Sequence, residues 1–181
     1  MSHRSPSPFD RLAPVSDRYA TLPVSDAFTW DACAPDVEPG EWYMVAFRSI
    51  RRAGADEARL TLHDDLAHEE AAVAPGFVDY FKGPLGPARS CLSFCIWQSR
   101  ADARAAAGMP AHVRAVSLVE EMYESYTLEF HKVTRTAGGP LQFAGYDAAG
   151  SPEHVHVSGL GLHPVEPPAT PLVPAPSPST G

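Results

Sequence analysis

One short stretch limits the fold more than any other part of the chain. From Ser90 to Trp97 an extended strand sorts its side chains onto two faces. Cys91, Ser93, Cys95 and Trp97 fall on one face, and Leu92, Phe94 and Ile96 on the other. Neither face suits water. A sheet built around this strand must be covered on both sides, so the chain has to supply or recruit two further layers.

The flanking sequence supplies the first of them. Trp42 to Ile50 is rich in aromatic and β-branched residues and reads as a first strand. Ala53-Gly54-Ala55-Asp56 forms a turn, with Asp56 placed to cap a helix. Leu62, Leu66 and Val73 then recur near helical spacing until Pro75-Gly76. Phe77 to Phe81 is a second strand, and Gly83-Pro84-Leu85-Gly86-Pro87 a turn leading to the Ser90–Trp97 strand. Ser99-x-x-Asp102 opens a second helix as a capping box would; Gly108 interrupts it and Pro110 restarts it at a first-turn position. Val113, Val116, Val119, Met122 and Tyr123 continue an apolar stripe, and Ser125 to Thr134 is a fourth strand.

The order β-α-β-β-α-β predicts an α+β, ferredoxin-like domain: a four-stranded antiparallel sheet with two helices on one face. The opposite face is expected to be covered by a second copy, giving a homodimer and a dimeric α/β barrel. Residues 1–40 read as an N-terminal extension, largely loop, in which Phe28-Thr29-Trp30 is a candidate to dock on the domain. The domain itself is expected over 41–135. Within 136–160, Leu141 to Tyr146 and His154 to Val157 are placed as a late hairpin, and the proline-dense 161–181 as a disordered tail.

Composition removes several partners. A net charge of −8 argues against a nucleic-acid face, because phosphate binding depends on clustered Lys and Arg. No apolar run approaches the ~20 residues that span a bilayer, and the N-terminus lacks a signal peptide's apolar core, so a cytoplasmic protein is expected. Cys91 and Cys95 would stand about 13 Å apart along one strand, beyond the ~7 Å that a disulfide tolerates, and are expected as core thiols.

Three short motifs carry a likeness. Pro75-Gly76-Phe77-x-x-Tyr80, Trp97-Gln98-Ser99 and Pro110-Ala111-His112 resemble the antibiotic biosynthesis monooxygenase-like family of dimeric α/β barrels, over about residues 42–134. The resemblance implies a ferredoxin-like dimer and a chemistry drawn from cofactor-free oxidation of quinols and polyketide anthrones, haem degradation, isomerisation or no catalysis. Haem-degrading members use an Asn on the first strand and a Trp and His on the second helix. This chain contains no Asn, and the matching helix positions fall near Ala106 and Val116, so haem is not expected.

The candidate catalytic residues are His112, Trp97 and Tyr80. His112 would accept a proton from a phenolic or quinol substrate, since imidazole titrates near neutrality. Trp97 would line the pocket, and Tyr80, with Tyr123 and Tyr126, would offer hydroxyl donors. Each also has a structural reading: a core aromatic, a helix-end imidazole, packed tyrosines. His68, among Asp64, Asp65, Glu69 and Glu70, reads as part of a solvated acidic helix face. His154-x-His156 with His163 lacks a clear carboxylate partner for a metal. No nucleophile elbow or phosphate-cradling glycine loop occurs, so neither a metal nor a cofactor is expected. Two function classes follow: a cofactor-independent oxygenase acting on an aromatic substrate, and a non-catalytic module that binds a small aromatic or apolar ligand or only assembles.

Overall fold

The computed structural model describes residues 7–146, and the backbone alone of 154–158 and 161–164. The extension contains two single helical turns, α1 (Val24–Ala27) and α2 (Trp30–Cys33). There follow β1 (Gly40–Arg51), α3 (Glu57–Ala72), β2 (Phe77–Phe81), β3 (Ser90–Trp97), α4 (Arg100–Ala107), α5 (Pro110–Val116), α6 (Val119–Met122) and β4 (Tyr123–Arg135). β5 (Leu141–Gly145), β6 (His154–Ser158) and β7 (Gly161–Pro164) close the described chain. The sheet runs β2-β3-β1-β4, all antiparallel, with the helices on one face, which is the ferredoxin-like arrangement.

Local chemistry sets the boundaries. Asp56 accepts from Arg59 N–H at 3.0 Å and starts α3. Ser99 Oγ accepts from Asp102 N–H at 3.2 Å and donates its own proton to Asp102 Oδ2 at 2.6 Å, starting α4. Gly76 has φ +73°, and a Cβ there would lie 2.3 Å from the Asp102 carboxyl, so the turn into β2 demands glycine twice over. Gly108 caps α4, and Pro110 opens α5 at its first turn.

The sheet is wider than the four strands expected. Residues 141–145 and 154–158 do not form a hairpin with each other. β5 pairs with the 131–135 half of β4, β6 with its 127–129 half, and the hairpin partner of β6 is β7. β4 is long enough for its free edge to hold both. Of the expected tail, Gly161–Pro164 is strand and 165–181 lie outside the described residues.

The far face of the sheet is where the structure departs most from the sequence expectation. Met44, Ala46, Leu92 and Phe94 are fully buried, and the layer above them is this chain's own extension. Phe9, Leu12, Tyr19, Val24, Phe28, Trp30, Cys33 and Val37 pack into one cluster with the sheet. Phe28 is the hub, its ring 5.0 Å from Phe81 and 5.4 Å from Phe94 in edge-on contacts. Trp30 lies 5.3 Å from Phe94 and 4.8 Å from Phe143, and its indole N–H donates to Val24 O at 2.8 Å. Arg48 fastens extension to sheet: it donates to Glu129 at 2.5 Å, to Leu22 O at 3.0 Å and to Ala20 O. The layer assigned to a second copy is supplied from within the chain. The Phe28–Trp30 patch, short and surrounded by loop residues, signals docking but not how much of the extension follows it.

Candidate functional site

The other face of the same sheet is not filled. Between it and α3, α4 and α5 lies a cavity of about 860 Å³, within the range of small-molecule sites. β1 contributes Tyr43, Val45, Phe47 and Ser49, and β4 contributes Tyr126, Leu128 and Phe130 to its floor. Strand alternation explains the sorting. The residues one step out of phase, Met44, Ala46, Phe94 and Ile96, belong to the packed face.

All three sequence candidates reach this cavity. Trp97 is 3% exposed, edge-on to Phe77 at 5.3 Å, and shares a cluster with Tyr43, Ala103 and Ala106. It is a wall. His112 sits in the first turn of α5, whose orientation is fixed by Glu70 of α3: Glu70 Oε2 accepts from the N–H groups of Ala111 at 2.9 Å and His112 at 3.2 Å. Those are orphan donors of a helix start, and the carboxylate comes from a neighbouring helix rather than from a local cap. Burial lowers the His112 pKa below its ordinary value, partly opposed by the Glu70 charge, so the ring is neutral at neutral pH. Tyr80 donates its hydroxyl proton to Asp64 Oδ1 at 2.6 Å, and Lys82 Nζ holds the other oxygen of that carboxylate at 2.7 Å. Burial, reinforced by the Asp64 charge, raises the Tyr80 pKa well above the phenol range. Its proton is therefore engaged with Asp64. Tyr123 and Tyr126, likewise lining the cavity, are also shifted upward by burial.

The sequence reading missed the inward side of α3. Leu62, Leu66 and Val73, taken as its apolar stripe, are exposed at 55%, 42% and 82%. The face turned to the sheet carries Leu60, His63, Asp64, Ala67, His68 and Ala71, spaced as one helical stripe. A periodicity count over small and polar residues would have found it; a count of large apolar residues could not. His68 is thus no part of a solvated face. Its ring lies 4.9 Å from that of Tyr80 and 6.1 Å from that of Phe77. At another part of the wall, Arg100 places its guanidinium 5.5 Å above the Tyr146 ring.

Among the described residues, no group of three or more His, Cys, Asp or Glu is placed to hold a metal ion. His156 and His163 stand opposite each other in the β6–β7 register, but their side chains lie outside the described part. Among the described residues, no helix is long and apolar enough to cross a membrane. Cys33, Cys91 and Cys95 are free thiols.

Residues 6–143 match the family described as PB2B2.08-like, a span that takes in the extension as well as the sheet and helices. No curated protein is significantly similar in sequence. Among solved structures, the chain is similar to SnoaB, a cofactor-independent oxygenase from Streptomyces nogalater, at 16% identity and TM-score 0.40, over 53% of this chain and 93% of that one. It is similar to a protein from Chloroflexus aurantiacus provisionally assigned as an antibiotic biosynthesis monooxygenase, at 16% identity and TM-score 0.39, over 52% and 93%. A protein of unknown function from Nitrosomonas europaea has 18% identity and TM-score 0.43, over 60% and 96%.

Proposed function

The chain belongs to the PB2B2.08-like family, and from its geometry we propose that it holds a flat, hydroxylated aromatic molecule between helices and sheet and oxidises it with molecular oxygen, without a cofactor. One observation carries this reading: the space beside Trp97 is an aromatic-walled cavity of about 860 Å³ and not a filled core. His112 is the base. Neutral and lining the cavity, it takes the proton of the substrate's acidic C–H or O–H group and leaves an electron-rich anion. The anion gives an electron to O₂ and the two radicals combine. For a methylene between two aryl rings, the peroxide then loses water, so that CH₂ plus O₂ becomes C=O plus H₂O. Trp97 and Tyr80 hold the substrate plane.

A non-catalytic binding module is the second reading. One feature favours it: the Tyr80 proton is committed to Asp64, so this hydroxyl does not steady a substrate oxyanion. Oxygen uptake with 1,8-dihydroxyanthrone and naphthohydroquinone separates the two. Turnover that falls about 10²-fold in His112→Ala supports the base. The neutral imidazole is the active form, so activity should rise with pH through a pKa below the ordinary ~6.5. Probes that bind without consuming oxygen leave the binding module.

Free thiols suit a reducing, cytoplasmic compartment. The expected homodimer cannot use the sheet's far face while the extension covers it. The outward Leu62 and Leu66 of α3, with Val73 just past its end, offer the apolar surface a second copy would meet.

A further inference from the structure

Among the described residues lining the cavity, Arg51 Nε, Asp64 Oδ2 and His68 Nε2 are buried without a hydrogen bond; Arg51 and Asp64 are held by ion pairs with Glu57 and Lys82, which leaves His68. His68 Nε2 is buried and meets no hydrogen-bonding atom among the described residues. Its neighbours are engaged elsewhere. The Tyr80 hydroxyl donates to Asp64, Lys82 bridges Asp64 and Asp65, and Glu70 receives the N–H groups of Ala111 and His112. The imidazole is flanked by the rings of Tyr80 and Phe77 and lines the cavity. Buried polar atoms are nearly always hydrogen-bonded, and one left unmatched in a binding cavity points to a ligand that completes it.

We propose that His68 is the hydrogen-bonding contact for an oxygen on the aromatic ligand, so that the cavity selects hydroxyl- or keto-bearing aromatics over plain hydrocarbons. This rests on the cavity being a ligand site, as argued above. A neutral imidazole carries one donor and one acceptor nitrogen, and the tautomer decides which of these roles Nε2 takes. Nε2 can therefore receive a phenolic O–H or give a proton to a ring carbonyl. A hydrocarbon offers it neither. The phenyl rings of Tyr80 and Phe77 beside it position a ring system whose oxygen lies at its edge. His68 is in this sense a specificity residue, distinct from the base His112 on α5.

The test uses the full chain with 1-naphthol and naphthalene as probes, binding being read from probe fluorescence. In His68→Phe, which keeps an aromatic ring and removes the nitrogens, 1-naphthol should bind about tenfold more weakly, while naphthalene stays within about twofold. His68→Gln, which restores a polar group, should recover part of the loss. The free His68→Phe protein should melt no lower than wild type, because an unmatched buried nitrogen is replaced by carbon. Equal weakening of both probes, or none, overturns the assignment. So does loss of folding in both His68→Phe and His68→Leu, which would mark a structural imidazole. If wild type binds neither probe, the cavity reading fails and this inference with it. If both probes bind and the discrimination survives in His68→Phe, only the inference fails.

Discussion

The two faces of this sheet are built from the same strands and have opposite characters. On one, Met44, Ala46, Leu92, Phe94, Ile96 and Val133 pack into one cluster with the extension, each at most 1% exposed. On the other, Tyr43, Ser49, Ser93, Cys95 and Tyr126 meet helices that stand off from them around a cavity. The difference lies in what covers each face. The extension is an irregular ribbon with two single helical turns, and such a chain can follow the sheet surface and place Phe28 and Trp30 where they fit. The helices are rigid rods. α3 presents Ala67, Ala71, Asp64 and His68 inward, side chains too short or too polar to fill the gap. One face is closed by packing, and the other encloses open space.

The comparison breaks most easily at the extension. If residues 9–37 are a structural layer, Phe28→Ala or Trp30→Ala should cost about 3–5 kcal/mol of unfolding free energy, the usual range for truncating a buried aromatic. Urea denaturation measures it. Removing residues 1–38 altogether should expose the apolar far face, and the truncated chain should self-associate or precipitate where the full chain does not. A stable, monomeric truncation would mean that the extension is decoration and that the sheet is held from the helix side alone.

A smaller effect tests the polar fastening of the same face. Burial by itself would raise the Glu129 pKa, but hydrogen bonds from His131 and Arg48 outweigh it and lower the value from 4.5 to about 2. A carboxylate with a depressed folded pKa adds stability that is fully present above its unfolded pKa and is lost as the pH falls through the folded one. The window is therefore pH 4.5 down to about 2. At ~1.4 kcal/mol per unit the whole contribution is up to about 3 kcal/mol, with the partial exposure of Arg48 reducing it. Unfolding midpoints measured across that window should fall steeply in wild type and less steeply in Glu129→Gln. Parallel curves would show that Glu129 does not carry the fastening.

What the sequence made legible follows the same division. Strand alternation from Ser90 to Trp97 assigned each side chain to its face, because a period of two leaves no freedom once the strand is placed. The caps at Asp56 and Ser99 were also readable, since each is a local hydrogen bond between neighbours in sequence. The covering layer was not. An apolar face demands burial without saying whether a second copy or the same chain provides it. The extension lacks the periodicity by which a layer is recognised, apart from its Phe28–Trp30 patch. At the candidate site, Trp97, Tyr80 and His112 were found from short motifs at element ends. Asp64, His68 and Glu70 were missed because their roles depend on which way α3 is rotated. The large residues Leu62 and Leu66 suggested the wrong rotation.

That rotation gives the smallest and sharpest prediction. Leu66 is 42% exposed on the outward side of α3, and its sequence neighbour Ala67 lines the cavity. Leu66→Gln should change stability by no more than about 0.5 kcal/mol, as for an ordinary surface substitution, and leave probe binding unchanged. Glutamine is nearly as good a helix former as leucine, so the helix itself gives no reason for a larger loss. Ala67→Leu, one position along, should obstruct the cavity and weaken binding of 1-naphthol while the protein still folds. The pair reads the rotation directly, since adjacent helical residues point about 100° apart. A cost of 2 kcal/mol or more at Leu66, with Ala67→Leu silent for binding, would reverse the two sides of α3. Should sedimentation reveal a dimer that Leu66→Gln dissociates without loss of thermal stability, the outward leucines form an interface between copies and the inward assignment of Asp64 and His68 stands.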